Sequence, residues 1–190
     1  MPSTPLNIPN LLTWLRIGLI PVFITVYYLP SAWLHPQWVN FSATAIFGVA
    51  AATDWLDGYL ARALNQTSAF GAFLDPVADK LMVAAALILL VQLGRVDAVI
   101  ALIIVGREIA ISALREWMAG IGKRKSVAVS FIGKLKTTAQ ITAIMLLLYH
   151  DRLLYTIDAQ LWGTWLIYIA AILTLWSMGY YLKKAFSQNS

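Results

Sequence analysis

"TDWLDGYLARALNQTSAFGAFLDPVADK", residues 53–80, decides how this chain is read. It holds four aspartates, Asp54, Asp57, Asp75 and Asp79, between stretches of sequence that are almost entirely oily. Of the 190 residues, 60% are hydrophobic and only 12% charged, and the mean hydropathy is +0.72. That balance lies outside the range of ordinary soluble domains. A bilayer core of about 30 Å takes roughly 20 apolar residues per helix, and such stretches fall near 10–30, 39–61, 75–93, 97–118, 131–149 and 160–182. Runs such as "LMVAAALILLVQL" and "AVIALIIVG" are apolar on every face, whereas a transmembrane strand alternates. The expected fold is therefore all-α: a polytopic membrane protein with six transmembrane helices, in a single membrane-embedded domain over residues 1–190.

The opening "MPSTPLNIPN" has no basic n-region and no small-residue cleavage pattern follows it, so the first helix is expected to remain in the product. There is no cysteine, which removes disulfides, thiolate nucleophiles and thiolate metal ligands and leaves the chemistry to oxygen and nitrogen groups. The loop near 31–38 lacks Lys and Arg, while those near 94–97 and 150–159 hold only Arg95 and Arg152. Most of the remaining positive charge lies from Arg115 through "GKRKS" to Lys134 and Lys136, and at Lys183 and Lys184. The positive-inside rule then places both termini and all four aspartates on the cytoplasmic side. The net charge of +5 is an orienting bias that also suits anionic lipid and phosphorylated substrates. Nucleic acid is excluded as a partner, because the basic residues form no groove interleaved with aromatics.

On a helix, Asp54, Asp57, Gly58 and Ala61 are spaced i, i+3, i+4 and i+7 and share one face, as do Gly71, Asp75 and Asp79 at i, i+4 and i+8. Pro76 is expected in the first turn of the third helix, with Asp75 close to its cap. Four converging carboxylates in a partly dehydrated site stay ionised only if cations hold them. All-oxygen ligands suit a hard divalent ion such as Mg²⁺, Mn²⁺ or Ca²⁺. Gly58, Ala61 and Gly71 leave room for a substrate to come close, and Arg62 offers a phosphate partner. Two other readings stay open: an interhelical charge network with Arg62 and Lys80, or a cation path through a transporter.

The pattern Asp54-x2-Asp57-Gly58-x2-Ala61-Arg62-x8-Gly71-x3-Asp75-x3-Asp79 resembles the complete motif of the CDP-alcohol phosphatidyltransferase family. The resemblance implies a six-helix membrane fold, a homodimer, and a site binding a CDP-linked lipid with Mg²⁺ or Mn²⁺. It implies that Asp54, Asp57, Asp75 and Asp79 lie at the metal, with Asp79 as the catalytic base. Asp54, Asp57, Gly58, Ala61, Arg62 and Gly71 would contact the CDP-lipid.

Three further stretches, "NIPNLLTWLR" (7–16), "VGREIAISALRE" (105–116) and "GKLKTTAQ" (133–140), are similar to the bacterial phosphatidylglycerophosphate synthase branch of that family. This implies CDP-diacylglycerol as donor, sn-glycerol 3-phosphate as acceptor, and the bacterial inner membrane as the location. Arg107, deep in the fourth span, needs an anionic partner. Glu108 points about 100° away from it on a helix and is not expected to serve. Arg107, Arg115, Lys134 and Lys136 are the candidate acceptor phosphate pocket, with at most one of the two lysines pointing inward. Asn7, Asn10, Thr13 and Arg16 read either as a wall of the site or as a helix start capped by Asn7, and Pro21 is expected to kink the first helix. "GKRK" (122–125) is given no chemistry; His35 and His150 fall at the outer ends, where Trp33, Trp38, Trp162 and Trp165 fit an aromatic belt.

Overall fold

A computed structural model of the chain describes residues 8–63, 69–120, 131–153 and 157–186. Among them are six helices: α1 (Ile8–Tyr28), α2 (Pro36–Ala63), α3 (Ala69–Gln92), α4 (Ala98–Gly120), α5 (Phe131–Tyr149) and α6 (Ala159–Phe186). They fall where the six apolar stretches predict. A two-residue ladder between β1 (Arg152–Leu153) and β2 (Ile157–Asp158), which the hydropathy pattern does not show, joins α5 to α6. Asn7 and "GKRK" lie outside the described residues, so neither the cap nor the charge run is located.

Short connections make chain neighbours pack: α1 lies against α2 and α3, α3 against α4, and α5 against α6, with α2–α5 and α4–α6 contacts closing the bundle. The core is built by Phe23 of α1, Phe47 of α2, Leu87 and Leu90 of α3, Ile104 of α4 and Ile144, Leu147 and Leu148 of α5. At Gly163 a Cβ would come within 2.8 Å of Leu147 Cγ, so this glycine sets how closely α6 approaches α5. Helix ends are fixed by local chemistry. Asp97 accepts a bond from the Val99 N–H at 2.7 Å and Asp158 one from the Leu161 N–H at 3.0 Å, capping α4 and α6. Gly94, at φ +67°, lets α3 end with the Arg95 N–H donating to the Leu90 carbonyl at 2.9 Å.

One expectation fails at α3. The helix begins at Ala69, so Pro76 stands inside it and Asp75 is in its second turn, away from the cap. A proline removes one backbone bond and crowds the carbonyl four residues earlier; near the start of a long helix with packed neighbours that local loss does not stop propagation. Helix α1 contains Pro21, whose carbonyl accepts a bond from Thr25 Oγ1 at 2.7 Å.

The distribution of polarity is inverted. Arg16, Lys136 and Arg107 are buried, while Ile88 of α3, Leu102 of α4 and Ile172 and Trp176 of α6 are each more than 60% exposed. By length and composition, two segments of the described residues suffice to cross a membrane, Leu11–Tyr28 and Ala159–Tyr180; the apolar part of α5, Leu135–Tyr149, is shorter. Helices α2, α3 and α4 each leave one end free of charged residues: their charges are Asp54, Asp57 and Arg62, then Asp75, Asp79 and Lys80, then Arg107, Glu108, Arg115 and Glu116.

Candidate active site

Consecutive helices run in alternate directions, so one end of the bundle gathers the starts of α1, α3 and α5 with the last turns of α2, α4 and α6. That end holds five of the eight polar or charged side chains buried among the described residues: Thr13, Arg16, Arg107, Lys136 and Ser177. Asp54 enters from α2, and Asp75 and Asp79 from α3.

The α1 residues that the sequence left ambiguous hold the aspartates. Arg16, 1% exposed, donates from Nη1 to Asp54 Oδ1 at 2.9 Å. Thr13 Oγ1 donates to Asp75 Oδ1. Each bond occupies one carboxylate oxygen and fixes the orientation of the other, which is how outer-shell groups present a ligand to a metal. This also answers the charge-network reading in part: the cation on Asp54 is Arg16, from a helix that reading had not considered.

Asp57, Gly58, Ala61 and Arg62 are on the last turns of α2, but their side-chain placement lies outside what the structure describes. Gly71 is buried within α3. Among the described residues no three acidic or imidazole groups by themselves enclose an ion. What the described part supplies is Asp54, Asp75 and Asp79, three carboxylates on two packed helices, two of them held by side-chain bonds from α1. That donor set fits a hard divalent ion and does not fit a thiolate-seeking one.

Beside the aspartates, a cavity of about 230 Å³ opens between α3, α4 and α5. Its wall includes Asp79, Lys80, Arg107, Arg115 and Lys136, together with the hydroxyl residues Ser112 and Thr137. Three of the four basic residues expected to bind the acceptor phosphate therefore meet in one cavity, next to the expected base. Lys134 is the fourth, and its side chain lies outside the described residues. Lys136 is buried and points into the cavity. Asp79 also borders a small gap shared with Arg16 and Ala50, so it stands between the α1–α2 side and the basic cavity.

Glu108 corrects the helical-wheel argument. Its Oε1 lies 3.6 Å from Arg107 Nη1 and accepts a bond from Lys136 Nζ. A 100° separation limits where two side chains leave a helix, but long arginine and glutamate side chains bend back toward each other across that angle. Arg107 also donates from Nη2 to Ser177 Oγ at 2.8 Å, tying α4 to α6. Glu108 and Ser177 had no sequence signal beyond Glu108's place beside Arg107. At the opposite end Arg95, counted above only as a loop charge, donates to the carbonyls of Leu147 and Leu148 and to Asn40 Oδ1, each at 3.0 Å. His150 lies at that end too, with a positive φ of 62°.

The motif implied a bundle of six helices, and six helices are what the described residues form. The chain belongs to the CDP-alcohol phosphatidyltransferase family, whose model matches residues 6–176. It is 52% identical over 181 residues, 94% of this chain and 94% of the relative, to the CDP-diacylglycerol–glycerol-3-phosphate 3-phosphatidyltransferase of Escherichia coli K12. Proteins of the same name from Shigella boydii serotype 4 and Shigella sonnei match it to the same extent.

Proposed function

We propose that this chain transfers the phosphatidyl group of CDP-diacylglycerol to sn-glycerol 3-phosphate, giving phosphatidylglycerophosphate and CMP. The named relatives support that reaction at 52% identity over nearly the whole chain. The observation that carries the acceptor assignment is the cavity in which Asp79 meets Arg107, Arg115 and Lys136. A phosphate monoester brings nearly two negative charges to such a wall; serine brings one carboxylate offset by its own ammonium, and an inositol without phosphate brings none.

Asp54, Asp57, Asp75 and Asp79 are the residues that would hold the divalent ion, Mg²⁺ or Mn²⁺, with Asp54 and Asp75 oriented by Arg16 and Thr13. When bound, the ion supplies charge neutralisation at the pyrophosphate. Gly58, Ala61, Arg62 and Gly71 are assigned to the cytidine diphosphate portion. The acceptor's phosphate is held by Arg107, Arg115 and Lys136, with Lys134 as a further candidate. Its primary hydroxyl then lies toward Asp79, which takes the hydroxyl proton as the oxygen attacks the phosphorus bearing the diacylglycerol. The new P–O bond forms as the bond to the CMP oxygen breaks, and CMP leaves with that oxygen. Glu108 keeps Lys136 and Arg107 in place until the acceptor's phosphate arrives.

The exposed apolar belt supports a membrane setting for all six helices: an isolated leucine on a surface is ordinary, but Val22, Phe41, Ile88, Leu102, Leu135 and Trp176, one from each helix, together are not. In that reading residues 1–190 form one multi-pass domain in a bacterial inner membrane, with both termini and the site facing the cytoplasm, and two copies pair as a homodimer.

The test is CMP release by detergent-purified protein supplied with CDP-diacylglycerol and Mg²⁺ or Mn²⁺, with glycerol 3-phosphate, serine, inositol phosphate and phosphatidylglycerol given separately. Release that depends on glycerol 3-phosphate is expected. Release with another acceptor overturns the basic-cavity argument; none with any acceptor overturns the enzyme reading.

A further inference from the structure

A guanidinium is a planar fork, and it aims its N–H groups only as well as that plane is held. The buried fork of Arg107 in α4 is held on both prongs. Its Nη1 lies 3.6 Å from Glu108 Oε1, in the wall of the basic cavity. Its Nη2 donates to Ser177 Oγ at 2.8 Å. Ser177 belongs to α6, and no residue of α6 is among the described residues lining that cavity. It is buried and stands behind Arg107, out of reach of a bound acceptor. A serine hydroxyl has one proton to give, and here it goes to the Thr174 carbonyl at 3.0 Å, a turn earlier on α6. The oxygen is thereby left to accept, and the α6 backbone sets the direction from which it meets Arg107.

We infer that Ser177 is a positioning residue for the acceptor: through Arg107 it fixes the angle at which the fork meets the acceptor's phosphate. The inference rests on the acceptor site proposed above and extends it to a helix outside the cavity wall. Binding a phosphate on a free arginine costs side-chain freedom, and a fork already held in the empty site loses less of it. The gain appears in acceptor affinity. It does not reach the donor half, where the bonds on Asp54 and Asp75 come from Arg16 and Thr13 of α1. Nor does the docking of α6 depend on it alone, because Met178 packs beside it against Ile111, Leu114 and Met118 of α4. A buried ion is a weak fastener between helices compared with such apolar contacts, so the bond is better explained by what it does for Arg107.

The experiment measures kcat and KM for glycerol 3-phosphate, and KM for CDP-diacylglycerol, in the full chain and in Ser177→Ala, Thr174→Val, Arg107→Gln and the Ser177→Ala/Arg107→Gln pair. Ser177→Ala is expected to raise KM for glycerol 3-phosphate about tenfold, the low end for a hydrogen bond to a charged group, with kcat and KM for CDP-diacylglycerol at wild-type values. Thr174→Val alters the same helix without touching Arg107, since Thr174 Oγ1 makes no bond among the described residues, and is expected to behave as wild type. In the Arg107→Gln background the serine is expected to lose its effect, because a residue acting through Arg107 has nothing left to position. That cycle is read on kcat/KM, which the linear range of acceptor concentration gives even where saturation is out of reach. An alanine variant too unstable to assay is replaced by Ser177→Cys, whose sulfur accepts only weakly. A wild-type KM in Ser177→Ala overturns the inference, as does an equal loss in Thr174→Val. A loss shared by kcat and both KM values, or one that persists undiminished without Arg107, makes Ser177 a packing residue and overturns it too. An Arg107→Gln protein with the wild-type KM for glycerol 3-phosphate overturns the acceptor site itself, and the role of Ser177 with it.

Discussion

The side-chain bond from Thr13 to Asp75 can be removed by substitution, because valine keeps the shape of threonine and lacks its hydroxyl. Orienting partners of metal ligands typically contribute about 10- to 100-fold to metal affinity. Thr13→Val is therefore expected to raise the Mn²⁺ concentration for half-maximal activity by roughly that factor, with a matching loss in direct Mn²⁺ titration and an unchanged KM for glycerol 3-phosphate. Lys136 gives the complementary result. Hydrogen bonds to charged groups contribute about 1.5–3 kcal/mol, so Lys136→Met is expected to raise KM for glycerol 3-phosphate by roughly 10- to 100-fold and to leave the metal requirement alone. A shared effect of both variants on both readouts would show that the aspartate site and the basic cavity are not separate halves. These residues differ in how legible they were. Lys136 and Arg107 announced themselves as charges inside oily helices, whereas Thr13 and Glu108 are unremarkable until folding brings Asp75 and Lys136 to them across 62 and 28 residues of chain.

At the scale of the element, Gly163 is the residue whose size the packing limits. Gly163→Ala places a methyl against the Cγ of Leu147 and the Cβ of Leu146, neither of which is a free side-chain end. The expected cost is about 1–3 kcal/mol, read as a lower thermal midpoint in detergent. Gly18→Ala, whose added Cβ meets nothing within 4 Å, is the control and is expected to match wild type or exceed it slightly. His150, just past the end of α5, offers a pH test. Burial, and then the nearby Arg95 guanidinium, push its imidazole below the ordinary range. A lowered pKa means that its stability contribution is whole above about pH 6.5 and is lost as the pH falls through the lowered value. His150→Asn keeps a residue that tolerates positive φ and is expected to flatten the acid-side decline of the midpoint. The helices themselves were legible because unbroken apolar runs have few other solutions in lipid. The start of α3 was not, because proline's preference for a first turn is a local tendency that helix packing overrides.

The whole molecule makes one arrangement that no single element does: Asp79 stands where the two proposed half-sites meet. It borders the gap shared with Arg16 on one side and the basic cavity on the other. The motif spacing made the aspartate half legible, since eight positions on two adjacent helices need no long-range information. The acceptor half was legible only as a set of charges; that Arg107, Arg115 and Lys136 share one cavity with Asp79 depends on how α3, α4 and α5 pack, which no local pattern encodes. The most direct test follows Asp79→Asn, measuring glycerol 3-phosphate-dependent CMP release and CDP-diacylglycerol binding on the same preparation. With the base removed and the shape kept, CMP release is expected to fall by about 10²- to 10⁴-fold while the dissociation constant for CDP-diacylglycerol changes by a few-fold at most. Equal loss of both would make Asp79 a donor-site ligand only, and undiminished release would place the proton transfer elsewhere.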